Sequence, residues 1–156
     1  MKTSPSLGFS IFLIFIIFLS CGSSEKQEIQ NLLARRENAI ETKNAAEYAD
    51  CISKNYNETK DGKNVSFDDI RKSFENNAKI FDSIEISSSD LNIYMKDNNT
   101  KADVYQKSQY RLTIANDSSR YTAVEQLQLQ KVDGKWKITK ESNVDLFKAF
   151  AFGSSG

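Results

Sequence analysis

Apolar residues in the first half of the chain recur every three or four positions and in the second half every second position, which predicts helices followed by a sheet. Ser24 to Gln27 reads as a capping box, and Ile29, Leu32, Leu33 and Ile40 then line one face of a long first helix. Asn44-Ala45-Ala46-Glu47 supplies a second cap, with Ala45, Tyr48, Ala49 and Ile52 on one side of a short helix. The polar stretch from Asn55 to Val65, turning at Asp61-Gly62, predicts a small hairpin. Ser66 caps a third helix whose stripe is Phe67, Ile70, Phe74, Ala78 and Phe81.

From Ser83 the period becomes two, and turn signals at Asp97 to Thr100, Asn116 to Ser119 and Asp133-Gly134 divide the remainder into a meander. Two-residue loops at the last two turns set the register by counting. Leu129 then opposes Ile138, Leu127 opposes Lys140 and Glu125 opposes Ser142, while Tyr110 opposes Glu125, Ser108 opposes Leu127 and Leu112 opposes Ala123. In the first hairpin Met95, Ile93 and Leu91 oppose Ala102, Val104 and Gln106. Ile84 and Ile86 have the opposite parity, so a bulge is expected within Ser87-Ser88-Ser89. One face carries Ile93, Met95, Val104, Leu112, Ile114, Leu127, Leu129, Trp136 and Ile138, and the other is polar. The expected architecture is α+β: three N-terminal helices packed on one side of a curved antiparallel sheet.

Ser108, Tyr110, Glu125 and Ser142 are polar residues that this register turns toward the apolar face, with Lys140 diagonal to Glu125. Burial raises a carboxyl pKa, and a neighbouring ammonium or hydroxyl lowers it. Two readings stay open. In one, Glu125 orients or deprotonates a ligand in a small-molecule cavity, Tyr110 donates a hydrogen bond and Lys140 supplies charge. In the other, Glu125 and Lys140 form a satisfied pair capped by Tyr110 that sets sheet register. Near the C-terminus Val144, Phe147, Phe150 and Ala151 share a side if helical, and form either a plug for the mouth of the fold or a patch for a partner protein or lipid surface. Plugging is preferred, because wet phenylalanines are costly.

Composition narrows the chemistry. The chain has no histidine, which removes Ser-His-Asp and Cys-His catalysis and the usual zinc sites. No glycine-rich phosphate loop or paired CxxC occurs, and neither a cofactor nor a metal is expected. A formal net charge of zero leaves no basic excess for nucleic acid. Cys51 sits in a helical pattern beside Tyr48 and Ile52 and reads as a small packed hydrophobe.

The N-terminus reads as an address. Lys2 precedes an apolar run from Phe9 to Leu19, then Ser20-Cys21-Gly22-Ser23-Ser24. The run is shorter than the roughly 20 residues that span a bilayer and fits a secretory signal. It resembles a bacterial lipoprotein signal, in which the cysteine after small residues is acylated; that role falls on Cys21. Phe18 stands where the pattern usually has leucine, and ordinary signal cleavage using Ser20 and Gly22 is the alternative, giving a secreted or periplasmic chain. The expected organisation is a signal over 1–20, a lipidated tether over 21–27, one domain over 28–152 and a flexible tail over 153–156. Acylated Cys21 would hold the protein on the bilayer at the outer membrane or periplasmic face of the envelope.

The order of elements resembles the nuclear transport factor 2-like (SnoaL-like) superfamily, cones of curved sheet wrapped around helices. The likeness rests on the Glu25 to Lys43 helix, Tyr56 with Asp61-Gly62-Lys63, the Ser66 to Phe81 helix, and Glu125-x-Leu-x-Leu followed by Asp133-Gly134-Lys135-Trp136-Lys137-Ile138. It implies isomerases, dehydratases, cyclases or non-enzymatic binding and association domains, and fold alone does not choose among them. The missing histidine departs from the dehydratase-like mechanism. Three functions follow as expectations: an envelope lipoprotein whose cone binds a small apolar or amphipathic ligand or another envelope protein; an isomerase- or cyclase-like enzyme using Glu125 and Tyr110; and a polar association domain, monomer or weak homodimer, joined through its outer sheet face.

Overall fold

The computed structural model describes residues 21–60 and 62–142. Helices α1 (Cys21–Glu41), α2 (Ala45–Cys51) and α3 (Phe67–Asn77), with the hairpin β1 (Asn57–Lys60) and β2 (Lys63–Ser66), precede four long strands. These are β3 (Ser83–Lys96), β4 (Lys101–Ile114), β5 (Asp117–Val132) and β6 (Lys135–Ser142), in the order β3-β4-β5-β6 with every neighbour antiparallel. Phe147, Phe150 and the rest of the expected plug lie outside the described residues.

The helices start where side chains can accept their first amide protons. Asn44 accepts from the Glu47 amide, and Ser66 and Asp69 form a reciprocal capping box at α3. Helix α1 differs from expectation: it already begins at Cys21, so Ser24 and Gln27 lie inside it and the stretch 21–27 is helix rather than tether. Its first turns are fastened to the sheet. Glu25 accepts from Lys131 Nζ at 2.6 Å and Trp136 Nε1 at 2.8 Å. The Lys131 ammonium holds the Glu25 carboxyl below its usual range, against the opposing effect of burial.

Ile29, Leu32, Leu33 and Ile40 of α1 join Tyr48, Ile70, Phe74, Ala78 and Phe81 against Val104, Leu112, Leu127, Leu129, Trp136 and Ile138 in one core. Burial of this face supplies the driving force for the packing. Tyr48 stacks on Phe74, with ring centroids 4.3 Å apart, tying α2 to α3. Cys51 is fully buried, and burial pushes its thiol pKa up, as for a packed hydrophobe.

Strand pairing corrects the expected register in three places. Between β4 and β5 the loop is Ala115-Asn116, both at positive φ, rather than Asp117-Ser118. Asparagine tolerates that left-handed region well, which favours the earlier turn. Tyr110 therefore opposes Tyr121, Ser108 opposes Ala123, Leu112 opposes Ser119, and Glu125 opposes Gln106. The displacement is an even number of residues, so every side chain keeps its face.

The β5–β6 correction has the opposite consequence. Leu129 pairs with Ile138 as expected, but Gln128 pairs with Lys140, leaving Thr139 as an extra residue on β6. One inserted residue inverts parity beyond it. Lys140 and Ser142 thereby pair with Gln128 and Gln126 of the polar outer face, and Glu141 takes the buried position opposite Leu127.

In β3 the bulge lies between Ser89 and Asn92, with Asp90 at φ 53°, slightly beyond the three serines. Met95 and Ile93 oppose Ala102 and Val104 as expected, whereas Leu91 sits in the bulge and is exposed instead of opposing Gln106.

At the β5–β6 turn Asp133 and Gly134 both have positive φ. A Cβ on Gly134 would meet nothing within 4 Å, so the cost of Gly134→Ala is purely conformational. We expect a loss of about 1 kcal/mol, measured by denaturant unfolding, with the fold unchanged.

Candidate functional site

Arg36 continues the stripe of Ile29, Leu33 and Ile40 on α1, so the helix carries its guanidinium into the core, where it is fully buried. Two carboxylates meet it from the sheet. Arg36 Nε donates to Glu141 Oε1 at 2.8 Å, and Nη1 donates to Glu125 Oε2 at 3.3 Å. Burial opposes the arginine's charge, and the attraction of Glu141 and then Glu125 outweighs it, holding the pKa well above the ordinary value.

The remaining carboxylate oxygens are also occupied. Glu125 Oε2 accepts from Gln106 Nε2 at 3.0 Å, and Glu125 Oε1 accepts from the Tyr110 hydroxyl. Tyr110 lies flat on Tyr121, with centroids 4.7 Å apart, and this stack aims its hydroxyl along the hollow face toward Glu125 although the two residues are not paired. Glu141 Oε2 accepts from the Tyr48 hydroxyl at 3.4 Å, and the Glu141 amide donates to the Tyr56 oxygen at 3.2 Å. Tyr56 in turn donates to Glu58 at 2.7 Å. Burial, reinforced by the nearby carboxylates, raises the phenol pKa of Tyr48, Tyr56 and Tyr110, so all three are neutral donors. A branch runs from Gln106 Nε2 to Ser108 Oγ at 3.2 Å, from Ser108 to Ser88 at 2.9 Å, and from Ser88 to Glu37 at 2.6 Å.

One donor is left over. Arg36 Nη2 is buried and has no hydrogen-bond partner among the described residues, whereas their other buried side-chain polar atoms around it are satisfied. An unmade bond of this kind is costly unless a group beyond the described residues fills it.

Of the expected site residues, the structure brings together Tyr110, Glu125 and Ser108 and leaves out Lys140 and Ser142, which the β6 bulge turns outward. The expected Glu125–Lys140 pair is replaced by an Arg36 bridge to Glu125 and Glu141. Arg36, Gln106, Tyr48 and Glu141 were not singled out by the sequence pattern. Arg36 carried a legible signal, a charged residue interrupting an apolar stripe at helical spacing.

This arrangement argues against the expected division of labour in an isomerase-like reaction. Both Glu125 oxygens already accept hydrogen bonds and the residue is fully buried, which weakens it as a base toward a substrate. Tyr110 spends its proton on Glu125. The donor that the cluster leaves over among the described residues is one nitrogen of the charged guanidinium, Arg36 Nη2.

Comparison with solved structures places the architecture. A putative scytalone dehydratase from Novosphingobium aromaticivorans superposes with TM-score 0.67 and 16% identity over 77% of this chain and 83% of its own. A hexachlorocyclohexane dehydrochlorinase from Novosphingobium barchaimii gives 0.66 and 13% over 77% and 85%. The chain has the scytalone dehydratase-like, nuclear transport factor 2-like cone fold. Other cone-fold neighbours are of another kind: a putative calcium/calmodulin-dependent protein kinase II association domain from Xanthomonas campestris aligns with TM-score 0.62 and 21% identity over 74% and 83%. Identities this low establish the cone fold alone. No protein-family model and no curated protein matches the chain in sequence.

Proposed function

We propose that this is a lipid-anchored envelope protein whose cone holds one small amphipathic molecule without transforming it. The observation that carries the ligand half is the buried Arg36 Nη2, which has no partner among the described residues and belongs to a polar cluster enclosed by the hydrophobic core. Its preferred partner is a neutral acceptor, a carbonyl or hydroxyl oxygen. Arg36 already faces two carboxylates, Glu125 and Glu141, one more than its single charge balances, so a further anion would add a second uncompensated negative charge in a low-dielectric site. The hydrophobic core that encloses the cluster favours a hydrocarbon body on the same molecule. The anchor half is supported by the Phe9 to Leu19 run followed by Ser20-Cys21-Gly22, and α1 starting at Cys21 would seat the domain directly on the lipid.

Native mass spectrometry of the protein purified from its own membrane tests both halves. The expected spectrum shows acyl chains on Cys21 and a retained neutral molecule that leaves on unfolding. Cys21→Ser should release the chain from the membrane fraction. An unmodified Cys21 would overturn the anchor, and a cone holding only water would overturn the ligand.

A further inference from the structure

On the outer face of the sheet, Glu85, Ile86, Ser87, Gln109, Arg111 and Arg120 line a groove of about 150 Å³. Strand register places Arg111 directly opposite Arg120, with Glu85 opposite Arg111 on its other side. Like charges facing each other across a strand pair repel. Glu85 relieves only one of them: Arg111 Nη1 donates to Glu85 Oε2 at 3.0 Å. Arg120 is exposed and has no acidic partner among the described residues.

The row Glu85–Arg111–Arg120 therefore carries one surplus positive charge. The groove it borders also presents the Gln109 amide and the Ser87 hydroxyl, two further donors from β4 and β3. We propose that this groove binds a phosphate-like oxyanion between the two guanidinium groups. Arginine forks match the spacing of oxygens on such an anion, and an anion between them converts the repulsion into attraction on both sides. Glu85 does not cancel the site, because its charge is already shared with Arg111, and Arg120 keeps its full donor set.

The groove also sits far from the proposed anchor. Ile86, one of its lining residues, donates its amide proton to Glu41 at the last residue of α1, at 2.7 Å, while Cys21 is the first. A helix of that length spans about 30 Å. A phosphate group free in solution or on a soluble molecule is thus the source the placement favours over headgroups of the bilayer holding Cys21.

Titration of the intact protein with inorganic phosphate at constant ionic strength tests the proposal, read by NMR shifts of the residue 109–120 amides and by the melting temperature. Saturable shifts and a rise in melting temperature are expected. Arg120→Gln should weaken phosphate binding at least tenfold, and in phosphate-free buffer it should melt at or above the parent because the repulsion is gone. An Arg120→Gln protein that responds to phosphate like the parent would overturn the site. So would one that melts well below the parent without phosphate, since Arg120 would then be a structural residue. Binding to phosphatidylglycerol vesicles but not to free phosphate would overturn the soluble source.

Discussion

Arg36→Met should lower the unfolding free energy by about 3–5 kcal/mol, because removing one member of a buried ionic cluster strands the others. Here the stranded groups are Glu141, left with the Tyr48 hydroxyl, and Glu125, left with the Tyr110 hydroxyl and the Gln106 amide, neither with a cation. For a domain of this size, a drop in melting temperature of at least about 10 °C is expected. Adding Glu125→Gln and Glu141→Gln to the same protein should recover most of the loss, since neutral amides keep an oxygen for Tyr110 and Tyr48 without a buried charge. Urea unfolding of the single and triple variants measures both effects. A mild single substitution, or a triple variant no better than the single, would mean that the carboxylates are not sustained by Arg36. Ligand retention is then a separate reading on the triple variant, which lacks the free donor even when folded.

Much of the fold was legible because local signals agreed with one another. Ser66 and Asn44 cap as their side-chain chemistry demands, and alternation from Ser83 onward sorted inward from outward residues through β4 and most of β5. The β4–β5 register moved by an even number of residues when the turn settled at Ala115-Asn116, so facing survived even though partners changed. The β6 bulge was not legible. It leaves Thr139 unpaired and turns Glu141 inward, and nothing local to Thr139-Lys140-Glu141-Ser142 favours burying an acid over a lysine. The compensation comes from elsewhere in the chain: Arg36 on α1, Tyr48 on α2, and Tyr56 just before β1. Counting along strands cannot find such a site, because its members are chosen by contacts between layers. Glu125 and Tyr110 were found for the simpler reason that polar residues at inward positions stand out against hydrocarbon.

The same cluster predicts steep alkaline unfolding. Tyr48, Tyr56 and Tyr110 hold their protons in the folded state well past the ordinary phenol pKa, burial being the main cause and the Glu141, Glu58 and Glu125 carboxylates adding to it. Arg36 pulls the other way at Tyr48 and Tyr110 without reversing the shift. In the unfolded chain these phenols ionise near pH 10. Below that pH both states keep the protons and the three residues leave stability unchanged with pH. Above it the unfolded state releases protons that the native state retains, so stability falls as pH rises. Each retained proton contributes about 1.4 kcal/mol per pH unit, and three give a slope of about 4 kcal/mol per unit. A domain with the usual 5–15 kcal/mol would unfold cooperatively between about one and four units above pH 10. Urea midpoints measured from pH 8 to 12, alongside tyrosinate absorbance, should show these phenols ionising in the same transition that loses helix signal. Tyr48→Phe should reduce the slope by about a third. A flat profile, or full tyrosinate absorbance while the helices persist, would mean that the three hydroxyls reach water and that the carboxylates of the cone are solvated as well.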